Sequence, residues 1–130
     1  MTVAYLTHPS STQHEMGPHH PECPDRVRVI NDYLRANGLL DFMREETAPA
    51  ATREVILRAH SSELLDELEA ISPLHGYAGI DGDTTMNPCT MNAVLHAVGA
   101  AVRAVDMVCA GEVKRAFCRS EEHTSELQSR

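Results

Sequence analysis

The sequence predicts an α/β fold built on a parallel sheet. Three observations carry this reading. A short alternating segment opens the chain, helical stretches with one apolar stripe follow it, and two further strand-like segments return between and after those helices. The composition fits a soluble domain: of 130 residues, 42% are hydrophobic and 23% charged. Large core anchors are few, with three Tyr, two Phe and no Trp, a thin supply for a self-sufficient fold.

Residues 2–7 alternate around Val3, Tyr5 and the β-branched Thr7, which is the period of a strand. Residues 8–24 break that pattern with His8, His14, His19 and His20, with Pro9, Pro18 and Pro21, and with Gly17. Proline lacks an N–H and restricts its predecessor, so a long ordered loop is expected here rather than helix or strand. A helix should begin near Pro24, since proline suits a first helical position. Val27, Ile30, Tyr33 and Leu34 recur at spacings of three and four and form its expected buried stripe, and Asn37-Gly38 closes it. Residues 39–46 should hold a second short strand. Thr52 can cap a helix with Val55, Ile56 and Ala59 inward; Ser61 or Ser62 can cap the next, with Leu64, Leu65, Leu68 and Ile71 inward and Pro73 ending it.

Residues 73–88 read as a second loop, with Gly76, Gly79, Gly82, Pro88 and the pair Asp81 and Asp83. A long helix is expected from Pro88 to Ala110, with Met91, Val94, Leu95, Val98, Val102, Val105 and Cys109 as its stripe. Its remaining surface is largely Ala and Gly, so a neighbour can approach closely and burial on more than one side is expected. Gly111 stops it, and Arg115 to Cys118 starts another strand. Residues 119–130 hold one apolar residue, Leu127, and read as a solvated, disordered tail.

Charge and motifs narrow the function. Eleven Lys and Arg against 19 Asp and Glu give −8, which offers a phosphate-tracking surface little support, so no nucleic-acid partner is expected. No run of apolar residues approaches the length of a membrane span, and the opening residues lack the basic region of a secretory signal, so neither membrane nor export is expected. The four cysteines, at 23, 89, 109 and 118, form no C-x-x-C pair and read as reduced thiols of a cytoplasmic protein. No G-x-S-x-G, P-loop or G-x-G-x-x-G is present.

Two places can hold chemistry. The histidine-rich loop, with Glu15, Glu22, Cys23 and Asp25 beside it, offers imidazole, thiolate and carboxylate, all of which bind divalent metals. Its spacings match no metal signature, and its histidines can equally bond to backbone. Asp81 and Asp83, two apart on a glycine-rich loop, can take a ligand's N–H groups or a cation, but Asp-Gly is also ordinary turn chemistry. His60, His75 and His96 stand alone and read as core or surface residues.

The order of motifs resembles the opening of the histone deacetylase family, nearest its bacterial class II-like deacetylases and acetylpolyamine amidohydrolases. The resemblance rests on Thr7-His8-Pro9, His14-Glu15-Met16-Gly17-Pro18 and His20-Pro21-Glu22-Cys23-Pro24-Asp25-Arg26. It continues through Asn37-Gly38-Leu39-Leu40, Arg58-Ala59-His60-Ser61 and Asp81-Gly82-Asp83-Thr84, and ends at Ala116-Phe117-Cys118. It implies the N-terminal part of an arginase–deacetylase-type open parallel sheet with flanking helices, truncated, over residues 1–118. It also implies a zinc-dependent amidohydrolase in which zinc polarises the amide carbonyl of an acetylated lysine or polyamine and lowers the pKa of the attacking water. Asp83 would then bind substrate N–H groups at the pocket rim, and His14 and His20 would lie on the loop at the active-site mouth.

The resemblance stops where the family continues into Arg-Pro-Pro-Gly-His-His with its catalytic histidine pair. This chain reads Arg119-Ser120-Glu121-Glu122-His123 instead, and His19-His20 falls at the wrong place in the order. No catalytic or metal residue is therefore assigned, no zinc is expected to be held by this stretch, and the stretch is expected to be inactive alone. The run 119–130 is similar to translated sequencing adapter and is expected to be an artefact. Two other readings remain open: a small metal-binding protein using the histidine-rich loop, and an interaction module presenting the long helix. The acyl substrate and oligomeric state are left open.

Overall fold

In this computed structural model, the described residues are 2–18, 20, 23–82 and 84–119. Strand β1 (Val3–Thr7) leads through helix α1 (Pro24–Ala36) to β2 (Met43–Thr47). Helices α2 (Arg53–Ile56) and α3 (Ser62–Ile71) follow, then the two-residue strands β3 (Ala78–Gly79) and β4 (Thr85–Met86), helix α4 (Thr90–Cys109) and β5 (Arg115–Cys118). The main sheet is parallel in the order β2-β1-β5, with Val3 opposite both Met43 and Arg115. The expected α/β parallel architecture is what forms.

Composition explains the placing of the strands. Central β1, Val-Ala-Tyr-Leu-Thr, is buried on both faces, as a strand covered on each side must be. Edge strand β2, Met-Arg-Glu-Glu-Thr, carries charges that blunt a free edge, and Arg44, Arg103, Glu46 and Glu112 form a surface ion-pair network beside it. Ala4 and Leu6 face α4, where Ala100, Ala104 and Met107 complete the main core with Ala48 and Val113. Tyr5, on the other face by strand alternation, stacks on Phe117 with ring centroids 5.7 Å apart.

The buried face of α4 differs from the expected stripe. Thr90, Ala93, Gly99, Ala100, Ala104 and Met107 are buried, whereas Val102, Val105 and Cys109 are exposed. Close approach decides this. A Cβ on Gly99 would sit 1.7 Å from the carbonyl oxygen of Pro49, so the segment after β2 crosses the helix backbone itself. The Ala51 N–H donates to the Leu95 carbonyl at 2.9 Å at that crossing. Small side chains let sheet and loop sit against the helix; valines at those positions would hold them off. By length and composition α4, with a mean hydropathy of 1.3, is also apolar enough to cross a membrane, against the expectation that no stretch is. Here its small face packs on the sheet.

Other elements correct the sequence reading locally. In α1 Val27 is buried and Leu34 half-buried, but Ile30 and Tyr33 are exposed, because α1 docks on two 3-10 turns, Pro9–Thr12 and Leu39–Phe42, rather than along a broad face. α2 ends at Ile56, so Ala59 falls in an exposed turn before Ser61 caps α3 by accepting from the Leu64 N–H at 3.1 Å. Thr52 caps α2 as expected. The loop after β1 contains a helical turn, Pro9–Thr12, where none was expected, and residues 73–88 contain the β3–β4 hairpin. Gly38 and Gly111 take positive φ values of 70° and 78° past α1 and α4, the conformation glycine adopts without strain. Arg119, the first residue of the polar run, donates its backbone N–H to Leu6 at 3.0 Å and so continues the β5 pairing. The rest of that run, 120–130, lies outside the described residues.

Candidate functional site

Topology alone locates a crevice. The chain moves from β1 outward to β2 through α1, then returns past β1 to β5 through α4. Right-handed crossovers in opposite directions diverge at their carboxyl ends, so a crevice opens between β1 and β5, where open α/β sheets bind ligands. The loop starting at His8 leaves the sheet at this point, and Arg119 follows β5 there.

A small cleft lies there, lined by Thr7, His8, Ser10, Ser11, His96 and Arg119 among others. His8 and His96 stack with ring centroids 3.5 Å apart and planes 14° from parallel. The hydrogen bonds fix their tautomers. Ser10 donates its backbone N–H to His8 Nδ1 at 3.0 Å, so that nitrogen carries a lone pair and Nε2 carries the proton. His96 Nδ1 lies 2.8 Å from the Asn92 carbonyl, which only accepts, so His96 Nδ1 is protonated. Burial, and secondarily the neighbouring His96, hold the His8 imidazole below its ordinary pKa. This pair escaped the sequence reading because its members are remote in the chain and neither sits in a motif.

The two loops read as candidate sites are tied together at the start of α4. His14 is buried, with Nδ1 2.6 Å from Thr90 Oγ1. Thr90 Oγ1 donates to Asn87 Oδ1 at 3.0 Å and accepts from the Asn87 N–H at 2.9 Å, so His14 must be the donor of the remaining bond. Asn87 Nδ2 in turn donates to the Gln13 carbonyl at 2.9 Å. Further out, the Thr85 N–H contacts Met16 Sδ at 3.4 Å, and the Tyr77 hydroxyl donates to the Glu15 carboxylate, which pushes the Tyr77 phenol pKa up. His20 lies partly exposed just ahead of α1.

The predicted substrate residue Asp83, with His19 and Glu22, lies outside the described residues. Beside position 83, the Thr84 carbonyl accepts from the Ile80 N–H at 2.9 Å and the Asp81 N–H at 3.4 Å. Among the described residues no three His, Cys, Asp or Glu side chains stand together to hold a metal. His8 and His14 spend Nδ1 on Ser10 and Thr90. A second groove, between α3 and α4, is lined by Ile56, Leu64, Leu68, Met91 and Val94, with His60 as the one polar side chain among its lining residues. That is a packing groove of the outer layer.

Comparison with known proteins agrees with this architecture. The model of the histone deacetylase domain family matches residues 20–122. The chain is 30% identical over 101 residues to a histone deacetylase-like amidohydrolase of Pseudomonas aeruginosa, covering 78% of this chain and 26% of that protein. It is 31% identical over 119 residues to a probable deacetylase of Archaeoglobus fulgidus, covering 90% of this chain and 33% of that one. The crystal structure of the HDA15 HD domain superposes with a TM-score of 0.84 at 21% identity, over 98% of this chain and 42% of that one, a likeness of fold. The chain thus spans about a third of the length of the curated relatives it matches. With the arginase–deacetylase type of sheet and the family match over most of its length, this chain belongs to the histone deacetylase family.

Proposed function

We propose that this chain is the N-terminal part of a zinc-dependent amidohydrolase that removes acetyl groups from acetylated lysine or acetylated polyamines in the cytoplasm. The observation that carries the reading is the crevice between β1 and β5, lined on one side by the loop after β1, which His14–Thr90 and Gln13–Asn87 bonds tie to the start of α4. In this reading His14 and His20 belong to the loop at the mouth, and His14 anchors it. In the same reading Asp83 accepts hydrogen bonds from substrate N–H groups at the pocket rim. Acetyl-amide substrates follow from the family; free thiols at all four cysteines accord with a reducing compartment.

The described residues supply no metal ligand set, so no catalytic step is assigned to them and the stretch is inactive by itself. The test is zinc-dependent acetate release from an acetyl-lysine peptide and from an acetylpolyamine. It is run on the 130-residue chain and on the longest open reading frame in the genomic DNA that contains residues 1–118. The 130-residue chain should give no turnover above blank. The longer protein should turn over one of the two substrates, and Asp83→Asn should lower its kcat/KM by about tenfold or more, the loss of a charged hydrogen bond. Turnover by the short chain, or none by the longer one, overturns the proposal.

A further inference from the structure

We propose that His8 and His96 form a proton-operated latch on the loop after β1: the loop's first turn is closed while His8 is neutral and opens when His8 takes a proton. Three features of the geometry carry this. First, the His8 side chain caps the 3-10 turn Pro9–Thr12 by accepting the Ser10 N–H at 3.0 Å. Ser10 is buried, so that N–H has no water to turn to. A proton on His8 Nδ1 sets donor against donor. The Ser10 hydroxyl, 2.8 Å from the same nitrogen, can rotate and accept; the backbone N–H cannot.

Second, the two rings stack with centroids 3.5 Å apart, so a positive charge on one ring opposes a positive charge on the other. Third, among the described residues lining the cleft, none offers a compensating negative charge: beside His8 and His96 only Arg119 is charged, and it is positive.

The direction of the effect follows from linkage. The His8 imidazole is held below its ordinary value of 6.5, so the open loop binds a proton at pH values where the closed loop does not. Closure is fully supported above that ordinary value and is lost progressively as the pH falls below it. The latch is a property of the loop and holds whatever chemistry the crevice performs.

Nitrogen-15 NMR of the imidazoles, with amide exchange of Ser10, tests this in the 130-residue chain and two variants. His8→Asn retains a capping oxygen without titration, and His96→Phe retains a stacked ring without charge. At neutral pH His8 should be protonated at Nε2 and bare at Nδ1, with its midpoint below the ordinary imidazole value. His96→Phe should raise that midpoint by about half a unit or more. Protection of the Ser10 amide should fall about tenfold between about pH 7.5 and about pH 5.5, and stay constant in His8→Asn. A protonated His8 Nδ1 at neutral pH, a midpoint at or above the ordinary value, or the same loss of protection in His8→Asn overturns the latch.

Discussion

Thr90 joins three groups through one hydroxyl, and all three depend on it. It accepts from His14 and from the Asn87 N–H and donates to Asn87 Oδ1, at zero exposure. Thr90→Val keeps the shape and removes the oxygen, leaving two buried donors without an acceptor. Denaturant unfolding should show a loss of about 1–3 kcal/mol, and Thr90→Ser should recover most of it. Thiol chemistry gives a second expectation. Burial pushes the Cys118 thiol pKa up, whereas Cys109 is exposed, so alkylation at mildly alkaline pH, followed by peptide mass mapping, should label Cys109 well before Cys118. At this scale the sequence was readable where a side chain serves its own neighbours, as Thr52 and Ser61 do at helix starts. His96 was unreadable. Its importance comes from His8, which chain topology alone brings into contact with it.

The bounds of β1, α1, α3, α4 and β5 were legible, those of α2 and of the strand expected over 39–46 were not, and element faces were legible only in part. α3 buries Leu65 and Leu68 and half-buries Leu64 and Ile71, the residues its spacing singled out, since it packs with side chains on one side only. For α4 the valine stripe is the most hydrophobic face, yet the sheet selects the smallest one, because a backbone crossing at Gly99 demands space rather than apolar area. Substitutions separate the two criteria. Gly99→Ala drives a Cβ into the Pro49 carbonyl and should cost more than 1 kcal/mol in denaturant unfolding despite alanine's better helix propensity. Val105→Ser, on the exposed face, should stay within about 0.5 kcal/mol. If the valine face were the packed one, the order of the two would reverse.

Over the whole molecule, the doubly wound order β2-β1-β5 was beyond periodicity, since strand pairing is a long-range property; the family resemblance supplied an open parallel sheet with flanking helices but not the order of its strands. That order leaves two unlike edges. Edge β2 is guarded by Arg44, Glu45 and Glu46. Edge β5 is Arg-Ala-Phe-Cys, with Phe117 42% exposed, and Val105 and Val108 of the adjacent α4 are 60% and 41% exposed. An unguarded parallel edge beside apolar side chains on both faces is a template for another chain. The isolated 130-residue chain should therefore self-associate through β5 as its concentration rises, with sedimentation velocity reading the shift in mass. Phe117→Glu together with Val105→Glu should return it to a monomer, whereas charge changes at Arg44 on the opposite edge should not. A wild-type chain that stays monomeric at about 100 µM, above the micromolar range where such edges cause aggregation, would show that β5 is not the adhesive edge.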